Sequence, residues 1–289
     1  MMTNKQLFYN WIVEREKVRL NKEAGMQPPY TDDIVLQTVR FTNINRENDK
    51  VTKYIRSRVK SDKYLYVNLT VCRLINYIPY LDNIEFMNDS NAGNFFVQLE
   101  AAILTNKARY GKYLGNAYLV TNGRNYTHPV YYSILRAVRL VHSNSELLLA
   151  AKTCKEVFDI ITDIHMIGSF IGNQIVQDAK NTVGSNIYNA ADKFTFTSHG
   201  QGSLRGINVY FEKKITAKHF MTHLVQVYSE TCAELHDRKD ILEQLDYHNI
   251  QNCLCEYSKY MMNINLNVCD RNPSGRSRTK QLYNKDFEL

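Results

Sequence analysis

Hydrophobic residues recur at intervals of three and four positions through most of the chain, which is the spacing of amphipathic helices and not of β-strands. Phe8, Trp11 and Ile12 begin one such run, which Gly25 ends. No alternation of strand and helix patterns predicts a parallel sheet. The sequence therefore predicts a mainly α fold: one helical domain over residues 1–289, in two intimate lobes. Further helices are predicted from Thr31 to Phe41 and near residues 64–78, 94–105, 129–140, 144–163, 169–180, 217–234, 238–246 and 249–262.

Composition excludes several classes of protein. Of the 289 residues, 44% are hydrophobic and 22% are charged, and no apolar run is long enough to span a membrane. The N-terminus lacks the pattern of a secretory signal. The six cysteines are irregularly spaced, which favours reduced thiols in the cytoplasm over a disulfide framework. Neither cysteines nor histidines have the spacing of a zinc or iron–sulfur site, so we predict no metal or cofactor. We also predict a monomer.

Basic residues exceed acidic residues, giving a formal charge of +7. Two runs concentrate the excess: 50–63 (KVTKYIRSRVKSDK), in which Asp62 is the single acid, and 271–280 (RNPSGRSRTK), which includes Arg276. Such runs suit a polyanionic partner, and the predicted partner is double-stranded DNA. The alternative is an ordinary solvated surface.

The segment from Thr162 to Asp178 has the pattern of a helical hairpin. An apolar helix runs into a short turn, Met166-Ile167-Gly168, and a second helix begins at Ser169. In a helix-hairpin-helix the backbone amides of such a turn hold a DNA phosphate without reading the sequence. The usual hairpin has Gly-x-Gly, and here Met166 occupies the first glycine position. The alternative is a turn between two packed core helices.

A glycine-rich stretch, SHGQGSLRGI, spans residues 198–207. Its glycines predict a close approach of backbone to a ligand, and Gly202, Ser203 and Arg205 are candidates to bind a phosphate or a flipped nucleotide. Any glycine-rich turn has the same pattern. The stretch is not a P-loop, because no Gly-Lys-Ser/Thr occurs in the sequence.

Four separated blocks resemble the α-glutamyl/putrescinyl thymine pyrophosphorylase clade, together with the related helical domain of 5-hydroxymethyluracil DNA kinases. This clade is regarded as a branch of the helix-hairpin-helix DNA glycosylases. The resemblance implies a helical glycosylase-like fold and chemistry on 5-hydroxymethylpyrimidine-derived bases. The blocks are FYNWIVERE (8–16), PYTDDIVLQTVRFTNINRENDKVTKYI (29–55), IGSFIGNQIVQDA through SHGQGSLRGI (167–207), and IQNCLCEYSKY with the arginine-rich tail (250–280).

The resemblance also implies a catalytic aspartate downstream of the hairpin glycine. Asp192 lies 24 residues after Gly168 and is the first candidate, and Asp178 is the second. A carboxylate there would stabilise the cationic sugar that develops as a glycosidic bond breaks. Bifunctional members have a lysine where this chain has Gly172, so we expect no lyase chemistry. The alternative for both aspartates is an exposed or helix-capping role.

In the second block the resemblance points to Asp49 and to Arg40, Asn43 and Arg46, the last three spaced three residues apart. On a helix these positions would share a face, and their side chains suit contacts to phosphates or base edges. The alternative is a salt-bridge network with Glu47 and Asp49.

In the fourth block Glu256 and Lys259 are also three residues apart. Glu256 is a third catalytic candidate, and the alternative is a simple ion pair on a helix. The predicted DNA-binding residues are Arg40, Asn43, Arg46, Gly168, Ser169, Gln174, Gly202, Ser203, Arg205, Lys259 and Arg276.

Tyrosine is abundant, at 20 residues. Aromatic side chains interleaved with cations suit the stacking of an extruded base, although biased coding composition gives the same abundance. The interleaved residues are Tyr110, Tyr113, Tyr118, Tyr126, Tyr131 and Tyr132, with Lys107, Arg109, Lys112 and Arg124.

Three functions follow from these patterns. The first is a monofunctional DNA glycosylase that flips a modified pyrimidine and leaves an abasic site, as an antiviral defence would require. The second is a hypermodification transferase, or pyrophosphorylase, that replaces pyrophosphate on hydroxymethyluracil in phage DNA. The third is a DNA-binding module without chemistry.

Overall fold

α-Helices form nearly all of the regular structure in the computed structural model, which describes residues 2–114 and 129–264. No β-strand occurs in those two ranges, so the prediction of a mainly α fold is confirmed. The helices are α1 (Asn4–Glu23), α2 (Ile34–Thr38), α3 (Lys50–Arg58), α4 (Leu65–Ile75), α5 (Ile78–Leu81), α6 (Phe95–Tyr110), α7 (Val130–Ser143), α8 (Ser145–Ala150), α9 (Cys154–Thr162), α10 (Ser169–Asn181), α11 (Gln201–Phe211), α12 (Phe220–Glu234), α13 (Lys239–Leu242) and α14 (Tyr247–Ile264), with 3₁₀ turns at Arg46–Asn48 and Ala217–His219.

Side-chain caps fix where several helices begin. Thr3 and Gln6 form a reciprocal capping box at the start of α1. Asp33 accepts hydrogen bonds from two amides at the start of α2. Thr153 and Glu156 form a second capping box at α9, which explains why the predicted helix over 144–163 is two helices, α8 and α9.

The chain divides into two compact units. The continuous unit is Lys50–Phe196, and the split unit joins the segment that ends at Asp49 to the segment that begins at Thr197. Each unit has its own hydrophobic cluster. The single glycosylase-like domain expected from the sequence stays a prediction.

α4 is the central helix of the continuous unit. Every residue from Leu65 to Ile75 is buried, and α7 and α10 pack against it. The hairpin helices α9 and α10 also pack against each other. The hairpin therefore belongs to the core of this unit.

α14 is the corresponding helix of the split unit, and α11, α12 and α1 contact it. A Cβ atom added at Gly206 would lie 1.9 Å from the carbonyl oxygen of Leu254, and one at Gly202 would lie 2.2 Å from Sγ of Cys255. The two glycines therefore allow α11 to approach α14 closely. The prediction that this glycine-rich stretch is a ligand-binding turn is wrong from Gln201 onward, because it forms helix α11.

None of the helices in the two described ranges is both long enough and apolar enough to span a bilayer.

Candidate nucleic-acid interface

The first candidate surface is the cationic face of α3. Lys50, Lys53 and Lys60 are all exposed, whereas Thr52 and Ile55 on the opposite side are buried. Lys50 and Lys60 form no ion pair with any described residue. We call these three lysines the α3 cationic face, although Lys60 lies two residues after the end of α3. Exposed lysines in a row are suited to contact successive phosphates of DNA.

Two further cations of this run, Arg58 and Lys63, are partly neutralised. Arg58 lies 3.6 Å from Asp82, and its guanidinium lies over the ring of Tyr54. Lys63 lies 2.6 Å from Asp89. Both pairs are exposed, so they contribute little to stability and do not lock these cations in place.

The net charge is distributed unevenly between the two units. The continuous unit carries 17 Lys and Arg residues against 11 Asp and Glu, whereas the rest of the chain carries 19 against 18. Nearly all of the formal excess of positive charge thus lies between Lys50 and Phe196. An anionic partner is therefore expected to contact the continuous unit first.

The first residue of the turn between α9 and α10 has a backbone conformation that is typical of glycine. Met166 adopts a φ of +80°, in the left-handed region that favours glycine. Gly168, with a φ of −76°, is the N-cap of α10 and has no side-chain capping bond. Gly168 and Ser169 are both exposed. The turn is thus accessible, and its contact with a DNA phosphate stays a prediction.

Asp178 is a structural group in this fold. Its side chain is fully buried, and its Oδ1 accepts a hydrogen bond of 2.6 Å from Nη2 of Arg73, while Nε of Arg73 donates to Oδ2. Arg56 of α3 contacts the same carboxylate at 3.3 Å. These contacts connect α10 to α3 and α4, and the catalytic role of Asp178 stays a prediction.

Asp192 caps a helix. Its Oδ1 accepts a hydrogen bond of 2.8 Å from the amide of Cys154, and its Oδ2 accepts one of 3.0 Å from the amide of Lys155. These amides open α9, where the positive end of the helix dipole stabilises a carboxylate. Both oxygens are occupied by this cap, which is the alternative weighed from the sequence.

The second and fourth blocks meet in the split unit. Asn249, Asn252, Glu256 and Lys259 lie on one face of α14, and we call them the α14 polar face. All four hydrogen-bond to the backbone of residues 40–46, which follows α2 without forming an α-helix. Asn249 accepts from the amide of Arg46 at 3.2 Å, Asn252 donates to the carbonyl of Asn43 at 3.3 Å, and Lys259 donates to the carbonyl of Arg40 at 2.8 Å.

The prediction that Arg40, Asn43 and Arg46 share a helix face is wrong, because α2 ends at Thr38. Arg15 of α1 donates to the carbonyl of Thr42 at 2.9 Å and to Oδ1 of Asn43 at 2.6 Å, so side chains replace the hydrogen bonds of a helix. Arg46 forms the ion pair with Asp49 that the alternative anticipated, at 2.9 Å.

Glu256 and Lys259 form the helix ion pair, at 2.6 Å. Oε2 of Glu256 also accepts from the amide of Thr42 at 3.1 Å. Burial first, and then the Glu256 carboxylate, raise the pKa of the neighbouring Cys255 thiol to about 11. The thiol is therefore protonated at neutral pH and does not act as a nucleophile there.

The remaining candidates are dispersed. Ser203 is buried and exchanges hydrogen bonds with Gly200, whereas Arg205 is exposed on α11. Gln174 is buried in α10. Outside the described residues lie Arg276 and the run 271–280, together with Tyr118, Arg124 and Tyr126.

Arg136 and Arg139 were not among the predicted residues, and α7 exposes them on the same face as Tyr132. Their spacing of three and four residues was the signal available in the sequence.

Comparison with known proteins decides the family. Residues 3–267 match the family described as "5-hmdU DNA kinase, helical domain". The chain belongs to this family. A 5-hmdU DNA kinase of Bacillus phage SP10 is 22% identical over 282 residues, which cover 88% of this chain and 44% of that protein. The chain thus spans less than half the length of this relative. No solved structure matches it.

This family corrects the predicted chemistry. The resemblance to the kinase helical domain is confirmed, and placement among the glycosylases stays a prediction. The predictions of a glycosylase hydrolase and of a pyrophosphorylase are wrong, because the relative is named as a kinase. The absence of Gly-Lys-Ser/Thr had favoured functions other than a kinase. That absence does not exclude a kinase, because the chain matches only part of the phage kinase.

Proposed function

We propose that this chain is the DNA-handling helical part of a 5-hmdU DNA kinase, and that it binds DNA containing 5-hydroxymethyldeoxyuridine. The family match supports the substrate class, since the phage relative is named for phosphorylating such DNA. The positive charge of the continuous unit and the exposed α3 cationic face support contact with phosphates.

In the proposed reaction, the oxygen of the 5-hydroxymethyl group attacks the γ-phosphorus of ATP. ADP leaves, and the hydroxyl proton passes to a base. Because the chain matches a helical domain and covers only 44% of the phage kinase, we assign nucleotide binding and phosphoryl transfer to the part of the kinase outside this match. The helical chain holds the DNA strand and binds DNA that carries the modified base more tightly than unmodified DNA.

Fluorescence anisotropy with labelled 20-base-pair duplexes tests this function. One duplex contains a central 5-hydroxymethyldeoxyuridine, and the matched control contains thymidine. We expect tighter binding of the modified duplex, with a log–log salt slope on the order of −4 to −5 for four to six phosphate contacts. A flat salt response would remove DNA from the partners, and equal affinities would remove the modified base.

Labelled ATP tests the assignment of chemistry. We expect the chain alone to leave the modified duplex unlabelled, and the complete kinase of a relative to label it. Label incorporated by the chain alone would contradict the placement of phosphoryl transfer elsewhere.

A substitution in the hairpin turn tests whether the turn contacts DNA. A Cβ atom at Gly168 meets nothing within 4 Å, so Gly168→Val is expected to fold normally. Its branched side chain would keep a phosphate away from the turn, and we expect weaker binding of both duplexes. Unchanged binding would limit the hairpin to a structural role.

A further inference from the structure

The longest stretch of the chain without acidic residues contains α7 and most of α6. No Asp or Glu occurs between Glu100 and Glu146. The cations in the described part of this stretch are Lys107, Arg109, Lys112, Arg136 and Arg139. A surface built from these helices is therefore positive without internal neutralisation.

α7 presents one face of this surface. Tyr132, Arg136 and Arg139 are exposed and are spaced by four and three residues, whereas Ala137 and Val141 on the opposite face are fully buried. The side chain of Tyr132 is 54% exposed. An aromatic ring and two guanidiniums thus follow one another along the outward side of the helix.

The C-terminal end of α6 continues the pattern. The ring of Tyr110 stacks on the buried ring of Tyr80, with centroids 4.9 Å apart and planes inclined by 30°. The guanidinium of Arg109 lies 5.2 Å from the centre of the Tyr110 ring. Tyr110 is therefore held in a fixed orientation while remaining partly exposed.

Aromatic rings also connect the end of α6 to the start of α7. The ring centroid of Tyr113, just after α6, lies 5.5 Å from that of Tyr131 on α7, and the centroids of Tyr131 and Tyr132 lie 6.0 Å apart. The ammonium of Lys107 lies 5.2 Å from the Tyr113 ring. We call Lys107, Arg109, Tyr110, Tyr113, Tyr131, Tyr132, Arg136 and Arg139 the α6–α7 surface.

The cations of this surface are available to an anionic ligand. In the part of the chain that the structure describes, Lys107, Arg109, Arg136 and Arg139 form no ion pair. Arg139 packs over the ring of Phe96, at 4.7 Å, which leaves its charge uncompensated.

We propose that the α6–α7 surface binds unpaired DNA, with bases stacked on its tyrosines and phosphates on its cations. This inference rests on the proposed function and deepens it, because it adds a single strand to the DNA substrate. Stacking requires bases that are not already stacked in a duplex, and aromatic rings beside cations are the usual means of holding single strands. The α3 cationic face offers lysines without an exposed ring between them, which suits duplex phosphates.

The two sites are chemically separable. The substituent at C5 of a paired pyrimidine lies in the major groove, so a duplex can show its hydroxymethyl group without unpairing. Recognition of the modified duplex therefore does not need the α6–α7 surface. Binding of an unmodified single strand does need it.

The test compares labelled (dT)20 with the thymidine duplex by anisotropy. We expect Tyr132→Ala to weaken binding of (dT)20 about tenfold, because one stacked base is lost, and to leave duplex binding within about twofold. The double variant Arg136→Ala/Arg139→Ala should reduce the magnitude of the (dT)20 salt slope by about 1.4. Phe194→Ala is the matched control, since Phe194 is 66% exposed in the same unit but lies outside the α6–α7 surface.

A fluorescent variant provides a second test that does not depend on whether the alanine variants fold normally. Trp11 is the single tryptophan and is 2% exposed, so it supplies a constant background. In Tyr132→Trp, saturation with (dT)20 should quench the added indole emission. No quenching, or equal (dT)20 affinity for all the variants, would overturn the inference.

The outcomes separate the inference from the proposed function. Preference for the modified duplex without binding of (dT)20 would overturn the inference and leave the function standing. Binding of (dT)20 that depends on Tyr132, without preference for the modified duplex, would support the inference and remove the modified base from the function.

Discussion

α10 of the continuous unit and α14 of the split unit are both buried helices with polar side chains, but those side chains have different partners. On α10, Asp178 binds the guanidiniums of Arg73 and Arg56 and so fixes the orientation of α3. On α14, Glu256 and Asn252 bind the non-helical segment that follows α2.

The comparison shows that buried polar groups do not by themselves mark a functional site. In the split unit they replace the missing backbone hydrogen bonds of residues 40–46. In the continuous unit they support a helix whose other side is exposed and cationic. The excess of charge, and not the density of buried polar groups, therefore directs the functional assignment to the continuous unit.

The largest expected effect is on the buried ion pair of the continuous unit. Asp178→Asn leaves the buried guanidinium of Arg73 without a counter-charge, and we expect it to lower the free energy of unfolding by about 3–5 kcal/mol. Chemical denaturation measures this loss. The control Asp159→Asn removes an exposed partner of Lys155 and should cost less than about 1 kcal/mol. A similar small loss for Asp178→Asn would mean that the pair does not anchor α3.

The next effect tests close packing in the split unit. Gly206→Ala places a methyl group against the Leu254 carbonyl, so α11 must move away from α14. We expect a loss of about 1–3 kcal/mol in the free energy of unfolding. Gly93→Ala in the continuous unit meets no atom within 4 Å and is the control. Equal stability of the two variants would show that α11 adjusts without cost.

A smaller effect is expected at the cap of α9. Asp192→Asn keeps one acceptor and removes the charge, so we expect a loss of about 1 kcal/mol in the thermal or chemical unfolding of the protein. Affinity for DNA should not change, because the carboxylate contacts two backbone amides. A large fall in DNA affinity without loss of stability would return Asp192 to the binding site.

The smallest expected effect tests the charge difference between the units. Lys50→Ala/Lys60→Ala removes two contacts from the α3 cationic face and should reduce the salt slope for duplex DNA by about 1.8. Lys213→Ala/Lys214→Ala removes two exposed lysines from the split unit. We expect no change in its slope, and an equal change in both double variants would contradict the assignment to the continuous unit.

The sequence predicted the periodic helices and missed the segments determined by distant contacts. α1 and α10 follow from apolar spacing, and their observed bounds lie close to the predicted ones. The chain leaves helical geometry after Thr38 because Arg15 and Asn252 satisfy its backbone, and no local pattern encodes such partners. The glycines of α11 were interpreted as a turn, since only the position of α14 shows that they serve helix packing.

For the candidate site, too, the sequence predicted local features and did not reveal distant contacts. The basic run at 50–63 was visible as charge, but the sequence did not show that Arg56 contacts Asp178 while Lys53 stays exposed. Asp192 was selected by its distance from Gly168, a criterion that does not reveal the two amides it caps. Glu256 was assigned a catalytic role before its contacts with Thr42 and Lys259 were known.

The split unit has a consequence for synthesis on the ribosome. The continuous unit is complete once Phe196 has emerged, whereas α1 must wait for α11 and α14 before it can bury Phe8 against Tyr210 and Tyr257. At about 5–20 residues per second, that wait lasts on the order of tens of seconds. During this interval the apolar side of α1 is available to chaperones, and the nascent chain already carries a folded, positively charged unit.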